Sequence, residues 1–88
     1  MEREQGFVVC EYDGALIAGP VLTGNRTSIS IPHECPGGKG EVIMVIHTHP
    51  GDDELLPSER DLETGREHEL EAVCIASSDW KRVKCYAP

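Results

Sequence analysis

Cations are scarce in this chain, and that scarcity excludes one broad class at once. Eight Lys and Arg stand against sixteen Asp and Glu in 88 residues, a formal net charge of −8. A protein that neutralises a phosphate backbone needs a basic patch, so nucleic acid is not an expected partner. Long apolar runs are missing as well. A helix needs about 20 apolar residues to span a bilayer, no such run occurs, and no membrane span is expected. The opening residues, MEREQGFVVCEYDG, have no basic segment leading into an apolar one. No secretory leader is expected from them, and a cytoplasmic address follows. Repeats, linkers and low-complexity tracts are also lacking, so residues 1–88 form one small domain with a single modest core.

The four cysteines, Cys10, Cys35, Cys74 and Cys85, contain no C-x-x-C spacing. That argues against a structural zinc built from them, and a disulfide framework is not expected in a cytoplasmic chain. Cys74 and Cys85 are the one pair expected to face each other, across a closing hairpin, as a bond or as paired packing. Aromatic residues are few, and Trp80 and Tyr86 read as core or turn packing.

What is present is mostly strand. Residues 7–12 (FVVCEY) are a β-rich run, and Asp13-Gly14 is a hairpin signal. Residues 15–22 form the expected returning strand, interrupted by Gly19-Pro20. Residues 27–31 (TSISI) alternate with period two after a Gly24-Asn25 turn, and residues 32–40 (PHECPGGKG) form a breaker-rich loop. Residues 41–47 (EVIMVIH) have the apolar character of a central strand buried on both faces. An acidic turn-rich loop, residues 50–57, precedes Ser58-Glu59-Arg60-Asp61, which has the form of a capping box opening a helix. That helix runs to about residue 66 or 68, with Gly65 weakening it. Residues 71–76 and 82–86 close the chain as a hairpin. The expectation is an α+β domain: a small mixed, mostly antiparallel sheet and one helix.

One stretch carries chemistry: HTHPGDDELLPSERD, residues 47–61. Side chains at i and i+2 of a strand share a face, so His47 and His49 present their imidazoles together. Pro50 ends the strand, and Asp61 falls in the first turn of the following helix. Two imidazoles and a carboxylate suit Zn²⁺, and three protein ligands leave a fourth position open, as in catalytic sites. Any His-x-His taken alone is more often surface polarity, and Ser58 with Asp61 taken alone is a helix cap. These histidines end the most apolar strand, where polar groups are costly without partners.

HTHP, seven residues and then SERD resembles the H-x-H-P-x7-S-x-x-D signature of the JAMM (MPN-plus, JAB domain) metallopeptidases. Weaker similarity extends to GFVVCE, SISIP and the VC and KCY strands, and so covers most of the chain. The resemblance implies a minimal stand-alone enzyme of prokaryotic, archaeal or viral type with a cytidine-deaminase-like core. It implies one Zn²⁺ per chain held by His47, His49 and Asp61, with Ser58 stabilising the oxyanion. A Glu on an upstream strand is the implied general base. Glu4 fits best, with Gly6 as the small residue and residues 7–10 as the strand; Glu2 is offset, and Glu11, Glu34 and Glu41 read as solvated carboxylates. The helices that usually precede this Glu and close the family fold have no counterpart in these 88 residues. The implied substrate is the C-terminal tail of a ubiquitin-like protein. Alternatives are a sulfur-carrier or phage-tail segment, or a binding module that holds metal without turnover. Thr27, Ser28, Ile29, Ser30 and Ile31 can pair with an extended substrate or be ordinary sheet. His33 and Cys35 read as loop residues, and His68 as a cation suited to a helix end.

Overall fold

The computed structural model describes residues 2–51 and 54–88; Asp52 and Asp53 of the acidic loop lie outside the described residues. β1 (Gln5–Tyr12) and β2 (Ala15–Ala18) form the first hairpin around Asp13 and Gly14, both at positive φ (52° and 82°), as a two-residue turn requires. The returning strand is shorter than its sequence implies. Pro20 has no N–H for the ladder, so pairing lapses after Ala18 and resumes at β3 (Leu22–Thr23), opposite Gln5 and Gly6.

β4 (Glu41–Thr48) lies at the centre of the sheet, antiparallel to β1 and parallel to β5 (Ala72–Ala76). β6 (Val83–Tyr86) closes the far edge, giving the order β2-β1-β4-β5-β6 with β3 also on β1. A parallel pair needs a crossover, and α1 (Glu59–Glu67) supplies it. Among the described residues it is the one α-helix, and no helix is long and apolar enough to cross a membrane.

The core lies between α1 and one sheet face, where Val8, Val45, Val73 and Ile75 are buried with Leu55 and Leu70. Gly65, expected only to weaken the helix, is what lets it lie so close. A Cβ there would meet Val73 Cγ2 and Pro88 Cβ at 2.8 Å. The other sheet face carries Phe7, Val9, Met44 and Ile46, with Trp80 against Phe7. Met44 and Ile46 are only half-buried, so β4 is central but not enclosed on both faces as expected. Exposure differs because the described residues place a helix on one side alone.

Two further expectations change. Residues 27–31 do not join the sheet. The Asn25 side chain accepts hydrogen bonds from the N–H groups of Thr27 (2.9 Å) and Ser28 (2.8 Å), which turns the chain before a ladder can form. The alternation survives as burial, with Ile29 and Ile31 turned inward and Ser28 and Ser30 exposed. The cysteines are all paired: Cys74 joins Cys85 across the β5–β6 register as expected, but Cys10 also joins Cys35. Cys10 faces the core from β1, and the Pro/Gly loop folds over that face, bringing Cys35 to it. Sequence separation gave no sign of this second pair.

Candidate metal centre

His47 is the penultimate residue of β4 and sits opposite Gly6 of β1. Any side chain at position 6 would collide: a Cβ would meet Ile31 Cδ1 at 2.6 Å and His47 Cβ at 2.8 Å. Glycine therefore lets the two strands close over the imidazole. Thr48, buried on the opposite face, accepts the Gln5 N–H through Oγ1 at 2.9 Å and ties the ends of β1 and β4 together. Glu4 is fixed on both sides by backbone: its N–H donates to the Asn25 carbonyl (2.7 Å), and its carbonyl accepts from the Gly24 N–H (2.8 Å). Its carboxylate is thereby buried beside the histidines, with 8% of the residue exposed.

The ligand atoms converge. His47 Nε2 and His49 Nε2 are 2.9 Å apart, and Asp61 lies 3.4 Å from each, Oδ1 toward His47 and Oδ2 toward His49. Ligands about 2.0–2.1 Å from a tetrahedral zinc are separated by about 3.3 Å, close to these spacings, with the two Asp61 distances running to different oxygens. Glu4, His47 and His49 also form a group whose donor atoms all lie within 4.8 Å, and this group can hold a metal ion. The two triads share both histidines. They differ in the third carboxylate, Asp61 in one and Glu4 in the other.

His49 and Asp61 are each held from behind. His49 Nδ1–H donates to the Leu56 carbonyl at 3.1 Å, which leaves Nε2 with its lone pair toward the site. That carbonyl is positioned by its neighbour Leu55, fully buried at φ 55°, whose own carbonyl accepts from Tyr86 Oη at 2.7 Å. A bulky residue in the left-handed region is strained, and here burial and the Tyr86 bond hold it. Asp61 is oriented by the capping box: Ser58 N–H donates to Oδ2 (2.8 Å), and Asp61 N–H donates to Ser58 Oγ (3.1 Å). A hydroxyl that accepts there still has its proton to donate, so the cap leaves Ser58 free to serve an oxyanion.

The electrostatics are those of a cation site. Burial alone would raise the Asp61 pKa, but hydrogen bonds from His47, His49 and the Ser58 N–H outweigh it and hold the carboxyl well below its usual range. His49 is raised, chiefly by its hydrogen bond to Asp61. Glu4 is raised by burial, against the attraction of His49 and His47.

The site opens into a groove of about 840 Å³, walled by Thr27, Ser28, Ile29, Ser30 and Ile31 and by the first turns of α1. His33 and His68 line the same groove with rings stacked 3.8 Å apart. His33 lies in the loop and His68 at the C-cap of α1, as the sequence implied, and both also face this groove. Burial, then His68, lowers the His33 pKa, and its Nδ1 is buried with no hydrogen-bond partner among the described residues. Leu55, Leu56 and Thr48, and the hydroxyl contact of Tyr86, escaped the sequence reading. Three of them act through a backbone carbonyl or on one, and no residue pattern reports that.

No family model matches the chain, and neither a curated protein nor a solved structure matches it.

Proposed function

We propose that this protein is a zinc-dependent peptidase or isopeptidase of the JAMM kind, on a minimal version of that family's cytidine-deaminase-like core. Its substrate in this reading is an amide bond at the C-terminal tail of a ubiquitin-like or similar small protein. The observation that carries the reading is the triangle of His47, His49 and Asp61, with the Glu4 carboxyl beside the two histidines. When bound, zinc supplies Lewis acidity, making a water more acidic and polarising the scissile carbonyl.

The chain's own groups supply the rest. His47, His49 and Asp61 hold the ion. Glu4, raised by its burial, takes a proton from the attacking water and delivers it to the leaving amine. Ser58 donates its hydroxyl proton to the carbonyl oxygen as negative charge develops there. An extended tail along the groove meets Ile29, Ser30 and Ile31, whose backbone groups have no hydrogen-bond partner among the described residues. A cytoplasmic location belongs to the same proposal, and the two paired bridges weigh against it, because such bonds persist mainly in oxidising compartments.

The test is hydrolysis of a fluorogenic peptide and of an isopeptide-linked tail by the zinc-loaded chain. Glu4→Gln should keep zinc and melting temperature while lowering turnover by about 10²–10⁴. A protein that binds zinc stoichiometrically yet cleaves neither substrate is a binding module, and the peptidase reading fails. Full activity in Glu4→Gln would remove Glu4 from the base position.

A further inference from the structure

The groove is less acidic than the chain around it. Sixteen acidic residues give the protein its charge of −8. Among the described residues only Glu4 and Asp61 bring acid to the groove, and both lie beside the His47–His49 pair. The other ionisable groups there are cationic or can become so: Arg26, Arg60 and the stacked His33 and His68.

Arg60 is the informative one. It occupies the first turn of α1, directly before Asp61 and between two acids. A cation at a helix N-terminus opposes the helix dipole, and Glu or Asp would serve the helix better there. Its guanidinium makes no ion pair or hydrogen bond with any described residue, although Glu59 and Asp61 adjoin it. Helix stability does not account for Arg60, and neither does internal charge pairing. Its place on the groove wall beside the donor set does.

We propose that the groove selects substrates carrying a carboxylate close to the scissile amide, and that Arg60 binds it. The proposal rests on the peptidase reading, since it assigns the specificity of that groove. A guanidinium offers a planar fork of donors that a carboxylate accepts in pairs. The carboxylate can be a chain terminus or an Asp or Glu side chain, and both present the same chemistry. A Lys- or Arg-rich tail would meet like charge at this point.

The test is direct binding, read by fluorescence anisotropy on the zinc-loaded full chain. Four fluorescein-labelled hexapeptides serve as probes: a neutral C-terminal amide, the same amide with one Glu, the same amide with one Lys, and the neutral sequence with a free C-terminal carboxylate. At least one carboxylate peptide should bind about tenfold tighter than the neutral amide, as a charged hydrogen bond provides. The arm that shows the gain identifies the source. Arg60→Gln should abolish the gain, and Arg60→Glu should transfer it to the Lys peptide. Neither variant should melt below the parent, because neither residue opposes the helix dipole as Arg does. Carboxylate peptides that bind no tighter than the neutral amide would overturn the proposal. So would a gain that persists in Arg60→Gln, since another group would then hold the carboxylate. Binding is read without turnover, so failure to cleave would remove the peptidase reading while leaving this result intact.

Discussion

Tyr86→Phe deletes one hydroxyl at the far edge of the sheet and should weaken the metal centre. In the parent, Tyr86 Oη donates to the Leu55 carbonyl at 2.7 Å, and Leu55 is fully buried with φ at 55°. Losing the donor leaves a buried carbonyl unsatisfied, at about 1–3 kcal/mol. For a domain of this size each kcal/mol moves the melting point by roughly 4–8 °C. The second effect is local. Leu55 no longer has its anchor in a strained conformation, and the Leu56 carbonyl, 3.1 Å from His49 Nδ1, is free to drift. Loss of such an outer contact to a ligating histidine costs about 10–100-fold in metal affinity. Loosening it should fall near the lower end, about tenfold. Thermal melting without metal measures the first effect, and zinc titration against a competing chelator measures the second. A variant that melts and binds zinc as the parent does would refute the chain of contacts from Tyr86 to His49.

Ser58→Ala should lower stability by about 1 kcal/mol through the lost cap and turnover by about 10²-fold through the lost oxyanion donor. Loss of stability with undiminished turnover would reduce Ser58 to a cap. His33 predicts a pH dependence. Its pKa in the folded chain lies below the ordinary 6.5, from burial and then His68, so the unfolded chain binds the extra proton. The stability associated with neutral His33 is complete above the unfolded pKa and is lost as pH falls below about 6.5 toward the depressed folded value. His33→Phe keeps a ring against His68 without titrating. Its melting point should gain on the parent's between pH 8 and pH 5, and a constant difference would contradict the assignment.

The parts of this fold that were legible in the sequence are those set by local chemistry. Asp13-Gly14 specified its hairpin, the Ser58–Asp61 spacing specified a capping box, and strand alternation put His47 and His49 on one side. Register made Cys74 face Cys85. What was not legible depended on how distant segments meet. Residues 27–31 alternate like a strand, yet the Asn25 side chain takes the N–H groups that a ladder would have used. Cys10 meets Cys35 because a loop folds back over β1, a closure that no spacing announces. Gly65 looked like a weak point of the helix and proved to be its contact with Val73. The two histidines of the metal group could be named from sequence, but not the supports behind them, because a carbonyl such as that of Leu56 belongs to every residue alike.

The central claim is that His47, His49 and Asp61 bind one zinc ion together. Elemental analysis of the chain after zinc loading and extensive dialysis tests it most directly, with X-ray absorption at the zinc edge giving the ligands. The account predicts one zinc per chain, two imidazole nitrogens and carboxylate oxygen at about 2.0–2.2 Å, and loss of the metal in His49→Ala. Zinc well below one per chain, or His49→Ala binding it at unchanged affinity, would contradict it.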